Sequence, residues 1–402
     1  MKKLFVFVLT VTCTLLLAMP VLAKVSVGGS VFLDSYYHRF DADAARSYMG
    51  PGDMTPGTDD WQQLEIEVPG DTNIHAEWLN DDGNVGMYIE LWLGGPNGST
   101  DVGLCYAYGW WQITPMFKIL VGHTDGSFAT LEPDQALGGA SGHSDADGFG
   151  NVGDAGHPQI RLEAKFNDMV TLMVSALDPR EGTSFDWLTY STLAGNEENV
   201  WPRMDVALLL NIGPVYIEPS MSWMKVKHDE GSMNIGAATF YNVYAFALGA
   251  MYTIGPFTIS AEGAFGQNWY NGQISYDSLL NYPPGVVPGG VQYDREFNFE
   301  DTDDAAFWVD AAFAIGPATI HLIYGYQETD IYMFLGSQEG ELEFERQMYG
   351  ISVPVKMADI FIIRPEFMVY DWGEADIPDF MLQNDVPLGT EYIGGIQFLA
   401  QF

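Results

Sequence analysis

The chain has 402 residues, and 16 Lys and Arg stand against 54 Asp and Glu, a formal net charge of −38. Such acidity excludes nucleic acid as a partner, because phosphate binding needs a basic surface. Aromatic residues make up 14% of the chain, which excludes an acidic disordered polymer, and charged residues are only 17%. A soluble domain carries about a quarter charged residues. The low charge, a mean hydropathy of 0.00 and 44 Gly favour one large all-β domain.

Residues 1–23 read as a cleaved export signal. Lys2 and Lys3 form a basic start, Leu4 to Ala18 an apolar run, and Val21-Leu22-Ala23 a small-residue cleavage site. Loss of this segment removes Cys13 and leaves Cys105 alone, so no internal disulfide is expected. Residues 24–402 form the second unit. No later stretch reaches the length of a helical span, but a membrane β-strand needs only about ten alternating residues.

Alternation with a period of two runs through the whole second unit. Met204, Val206, Leu208, Leu210 and Ile212 share one face, with Asp205, Ala207, Leu209 and Asn211 opposite. In chain order the sixteen alternating segments are 25–39, 62–79, 85–94, 102–113, 117–123, 158–167, 169–178 and 203–212, then 215–228, 238–254, 257–270, 304–315, 318–330, 341–356, 360–373 and 390–402. Within 62–79, Pro69-Gly70-Asp71 marks a bulge or a separate hairpin.

Connections alternate between short and long. Three short ones read Ile-Gly-Pro, at 212–214, 254–256 and 315–317. Long ones, such as 40–61, 124–157, 179–202 and 271–303, collect Gly, Asp, Asn, Pro and Ser. Sixteen strands with both ends on the short-turn side predict an antiparallel transmembrane β-barrel, with short periplasmic turns and long extracellular loops. The changing distance between the Ile-Gly-Pro turns does not suit a propeller. The last strand ends in Phe402, with Phe398 at an alternate position, and is similar to the assembly signal of Gram-negative outer-membrane proteins.

Leader, strand number, long third loop and terminal Phe402 together resemble the Gram-negative general porins over the whole second unit. The resemblance is one of architecture. It implies a homotrimer in the outer membrane, in contact with lipid and lipopolysaccharide and inserted by the barrel-assembly machinery. It also implies passive diffusion of small hydrophilic solutes and ions. In that family the third loop folds into the lumen and narrows it; the matching segment here is 124–157. The scarcity of Lys and Arg departs from the family's basic constriction wall.

Placing the apolar face on lipid turns one acid inward on many strands: Asp34, Glu77, Glu90, Glu163, Glu218, Glu262, Asp310 and Glu366. A belt of carboxylates would raise the local cation concentration. Arg161 and Lys165 share the face of Glu163, and Arg364 that of Glu366. Arg161, Arg364 and Arg39 are expected to face the loop acids Asp125, Glu132 and Asp134 across the pore; Arg346 has no fixed parity. Further loop acids are Asp145, Asp147 and Asp154, which with Asn151 form a weak calcium candidate without the bidentate Glu of a full calcium loop. No other cofactor is expected. His123, His143 and His157 lack metal-ligand spacing. The tryptophans near strand ends fit aromatic girdles. Inward Tyr88, Trp92 and Trp308 could instead contribute to a sugar-guiding track.

No nucleophile elbow, His-Glu-x-x-His or phosphate loop is present, so no catalytic residue is expected. The pattern predicts a cation-preferring diffusion channel. A substrate-specific channel for a sugar or cationic nutrient, and a structural or adhesive barrel, are the alternatives.

Overall fold

The computed structural model describes residues 24–41, 61–69, 72–93, 102–137, 146, 149–152, 156–178, 185–186, 191–192, 197–228, 239–269, 292–293, 299–300, 303–335, 338–376, 386–387 and 389–402. Residues 1–23, expected to be an export signal, and several long connections lie outside them.

The described residues form a closed antiparallel barrel of sixteen strands. They are β1 (Lys24–Asp41), β2 (Trp61–Glu67 continued by Asn73–Leu79), β3 (Val85–Trp92), β4 (Gly103–Gln112) and β5 (Phe117–Thr124). Next come β6 (His157–Lys165), β7 (Val170–Leu177), β8 (Arg203–Ile212), β9 (Val215–His228), β10 (Thr239–Ile254) and β11 (Phe257–Gln267). The last five are β12 (Asp303–Ile315), β13 (Ala318–Leu335), β14 (Gln338–Ser352 continued by Val355–Ala358), β15 (Phe361–Asp371) and β16 (Thr390–Gln401). Each pairs with its chain neighbour. The ring closes where β1 pairs with β16, Leu33 opposite Phe398. At that seam Gly29 and Phe402 exchange two backbone hydrogen bonds of 3.1 Å.

The break predicted at Pro69 is a discontinuity within one strand. Both halves of β2 pair with β1, through Asp34↔Glu67 and Ser30↔Asn73. A second break at Val353-Pro354 interrupts β14, where proline cannot donate to the ladder. Strand β13 extends five residues beyond the expected end, to Leu335. Short extra pairs lie in the long connections, Phe185–Asp186 with Ser191–Thr192 and Gln292–Tyr293 with Phe299–Glu300, and Glu197–Asn199 adds to the upper edge of β9.

The Ile-Gly-Pro reversals are two-residue hairpins. Gly213, Gly255 and Gly316 take φ of 62°, 59° and 59°, and Ile212 pairs directly with Val215. A positive φ at the first position, with proline second, turns the chain with the twist of the strands. A side chain with a Cβ is penalised there by about 1–2 kcal/mol. Gly255→Val is therefore expected to lower barrel stability by about that amount, read as an earlier thermal unfolding in detergent. An unchanged transition would count against this account of the turn.

The strand pleat separates two faces as the alternation predicts. Leu64, Ile66, Phe265 and Leu322 point outward and are exposed on the barrel's apolar girdle. Every backbone group of a closed ring finds a neighbour, which is what a hydrocarbon surrounding demands. Phe398 also faces outward and stacks on Phe361, while Phe402 is exposed at the seam.

The inward face differs from the expected uniformly polar lumen. From β9 to β16 it carries Met224, Val243, Ala245, Ala247, Ala264, Ala306, Ile323, Met348, Met368 and Ile393, all buried. Phe128, Ala129 and Val152 of the third loop pack on one part of this surface, and Leu137, Ala146 and Phe149 on another. The apolar cores therefore lie between loop and wall, inside the barrel.

Candidate pore and its third loop

The third loop leaves β5 at Thr124 and runs inward along the wall. Its backbone N–H groups are taken up by side chains of the barrel. Ser127 hydrogen-bonds Ser175 on β7, and Ala129 N–H donates to Ser220 Oγ at 3.1 Å. Thr130 gives its N–H to one Glu218 oxygen at 2.9 Å and its hydroxyl to the other at 2.6 Å. Asp134 N–H donates to Asp310 at 3.1 Å, and the N–H groups of Ala136 and Leu137 both donate to Glu366. An irregular segment inside a barrel needs such partners, since an unpaired buried amide is costly. Carboxylates supply them as charge-assisted hydrogen bonds.

This arrangement corrects the expected acidic belt. Glu218, Glu262, Asp310 and Glu366 do point inward, but they are buried beneath the loop or against it. Glu262 lies opposite Trp308 on β12 and next to Gly249, whose missing side chain leaves room for Leu131. Glu218, Asp310 and Glu366 hold the loop rather than facing a water column, and Glu262 is buried beside it. Asp34 and Glu90 are also inward and buried. Glu77 and Glu163, on the opposite wall, stay partly exposed.

Two of the three arginines expected to face the loop acids across the pore instead touch the loop directly. Arg364 on β15 meets Asp134 at 2.7 Å, and His321 on β13 bridges Asp134 at 3.2 Å and Asp310 at 2.9 Å. Arg161 donates to the backbone carbonyl of Asp125 and lies 3.9 Å from Glu163. Arg39 is a correction: it shares the outward face with Leu33 and Tyr37, and pairs with Asp41 at 3.0 Å. Lys165 sits at the turn end of β6, bound to Asp168 at 2.9 Å, away from the middle of the pore. Arg346 is inward, over the ring of Phe149 with 5.5 Å to its centre. Phe149 also meets Tyr370 and Trp372 edge-on.

Asp125 and Glu132 are exposed on the loop and Asp134 is partly so. Asp145, Asp147 and Asp154 lie outside the described residues. Asn151, the fourth calcium candidate, is described and buried. His123 Nδ1–H donates to the Cys105 carbonyl at 2.9 Å, and His157 is buried at the start of β6. Trp269 and Trp308 are buried inside the barrel, so they belong to no girdle. Trp111 and Trp201 are exposed.

Sequence reasoning assigned no role to four titratable residues. Lys118 is inward on β5 and bonds Glu163 at 2.9 Å. Its alternation with the outward Phe117, Ile119 and Val121 was the available signal. His321 alternates with the outward Leu322 in the same way. Arg203 and Asp205 form a wholly buried pair on β8, with two contacts of 3.0 and 3.1 Å, and Arg203 also donates to Ser222 at 2.8 Å.

A closed ring of sixteen antiparallel strands has solved counterparts. The crystal structure of the outer membrane channel DcaP of Acinetobacter baumannii superposes with a TM-score of 0.64, at 17% identity over 94% of this chain and 97% of that one. The fold is a porin fold. An anion-selective porin from Comamonas acidovorans gives a TM-score of 0.57 at 11% identity, over 94% of this chain and all of that one (100%). The trimer form of OmpT, an outer membrane protein of Vibrio cholerae, gives 0.54 at 13% identity, over 94% and 99%. No protein-family model and no curated protein sequence matches the chain. The porin fold thus stands on structure, far beyond the reach of sequence similarity.

Proposed function

We propose that this protein is a passive channel of the outer membrane for small hydrophilic solutes and ions, not an enzyme. The observation that carries the reading is the third loop inside the barrel, fixed to one wall by Glu218, Asp310 and Glu366. A loop so held narrows the lumen without filling it, since the opposite wall keeps partly exposed polar side chains on β2 to β6. Export by residues 1–23, insertion by the barrel-assembly machinery, assembly as a homotrimer and contact with lipopolysaccharide belong to the same proposal.

The preferred ion is a cation. The charge of −38 supports this, as do Asp125, Glu132 and Asp134 on the loop and Glu77 on the facing wall. The fold itself does not set the sign, because one similar barrel is described as an anion-selective porin. Of the expected belt, only the exposed acids carry selectivity in this proposal.

The test is the reversal potential of purified protein in a planar bilayer under a KCl gradient. A cation-selective sign is expected, and an anion-selective sign sinks the preference. Glu163→Lys should move the potential toward anions, because it replaces the partner of Lys118 and Arg161 with a third cation. No movement would remove Glu163 from the conducting path. Absence of any conductance would overturn the channel itself.

A further inference from the structure

The wall opposite the loop carries aromatic rings in a row. Trp110 lies 5.9 Å from Tyr108, and Tyr108 lies 5.5 Å from Tyr88, between ring centres. Tyr88 stacks on His75 at 5.5 Å and meets Tyr106 at 6.5 Å. All five are inward by strand parity, since Ile74, Met87, Ile89 and Trp111 occupy the outward positions, and the register shift beside Glu90 separates Tyr106 from the outward Leu104. None is fully buried. The row climbs β4 from Trp110, near the short-turn end, to Tyr106, whose hydroxyl donates to Asp125 at the root of the third loop at 2.7 Å.

The strand backbone makes room for these rings. A Cβ on Gly86 would fall 2.1 Å from the ring of Trp110, so the indole lies flat where a side chain would stand. Rings lying along a wall offer faces to the lumen, whereas rings packed in a core do not. The neighbouring charges are mixed and mutually satisfied. Glu163 is held by Lys118 and Arg161, and the hydroxyl of Tyr88 donates to Glu90.

The geometry points to a binding track for a neutral, linear oligosaccharide on this wall. The track rests on the channel reading and names a solute class for it. A sugar ring has an apolar face that stacks on aromatic side chains and a rim of hydroxyls that both donate and accept. The row supplies the faces, and the alternating Lys118, Arg161, Glu163 and Glu77 supply both kinds of partner. An organic cation would call for unpaired acids beside the rings. Here the cations of β5 and β6 oppose it.

The experiment is block of ion current through the purified protein in a bilayer by maltohexaose. Saturable block is expected. Tyr108→Ala and Trp110→Ala should each raise the half-blocking concentration by about tenfold, as loss of a stacking contact does in a binding equilibrium. Tyr108→Phe, which keeps the ring, should retain the block. Conductance without any block by the sugar overturns the track. So does block that the alanine variants leave unchanged, or block by phenyltrimethylammonium at lower concentration than by the sugar. If the protein does not conduct, the channel reading fails on its own. Titration calorimetry of maltohexaose into the detergent-solubilised protein then decides the track: heat that disappears in Trp110→Ala supports it, and no heat overturns it.

Discussion

Glu366→Ala is expected to free the far end of the third loop and enlarge the pore. The Glu366 carboxylate accepts the N–H groups of both Ala136 and Leu137, which are buried. Without it each amide is left unpaired at a cost of about 1–3 kcal/mol, unless the loop moves out to water. Movement also breaks the contacts of Leu137 with Met348 and Met368 in the inner cluster. The Asp134–Arg364 contact is two residues away and loses its support. Single-channel conductance should rise on the order of twofold, as expected when a constriction opens. Glu366→Gln keeps one acceptor oxygen and should give an intermediate value. Equal conductance in all three proteins, at equal thermal stability, would show that the loop is held elsewhere.

Arg203→Ala should be the most destabilising single change in the wall. Arg203 and Asp205 have no exposed surface and meet through two contacts of 3.0 and 3.1 Å. Removing the guanidinium leaves a buried carboxylate without its cation, a loss of about 3–5 kcal/mol. Replacing both residues with apolar ones of similar volume, Arg203→Met with Asp205→Leu, should recover most of that stability. Thermal unfolding in detergent, followed by circular dichroism, separates the two variants. A single variant as stable as the parent would mean that water reaches Asp205.

The barrel was legible because its signal is local. Alternation in 204–212 and the Gly-Pro reversals place strands and faces without any knowledge of distant residues. The direction of Glu218, Glu262, Asp310 and Glu366 follows from that parity alone. Their surroundings do not, because the loop amides that meet Glu366 are some 230 residues away in sequence (|i−j| of 229 and 230). A hint was present in the inward Ala245, Ala247, Ala264 and Ala306, small residues where a water-filled lumen would favour polar ones. Small apolar positions on a lumen face mark where another segment lies. The aromatic row was half visible: Tyr88 was read as inward, but its neighbours on β4 depend on the register between β3 and β4, which puts Tyr108 opposite Tyr88 and Tyr106 opposite Glu90.

The seam between β1 and β16 sets the order in which the barrel can be completed. Strand β1 must wait for residues that lie at the far end of the chain, with Leu33 opposite Phe398. Every other neighbouring pair of strands can form as a local hairpin, but this one closes the longest loop the fold contains. Until then β1 and β16 are both open edges, each presenting unpaired amides and able to recruit a strand from another chain. Completion of the ring is therefore a single late step whose rate is set by topology. Substitutions confined to β16 should slow closure while leaving the earlier hairpins intact.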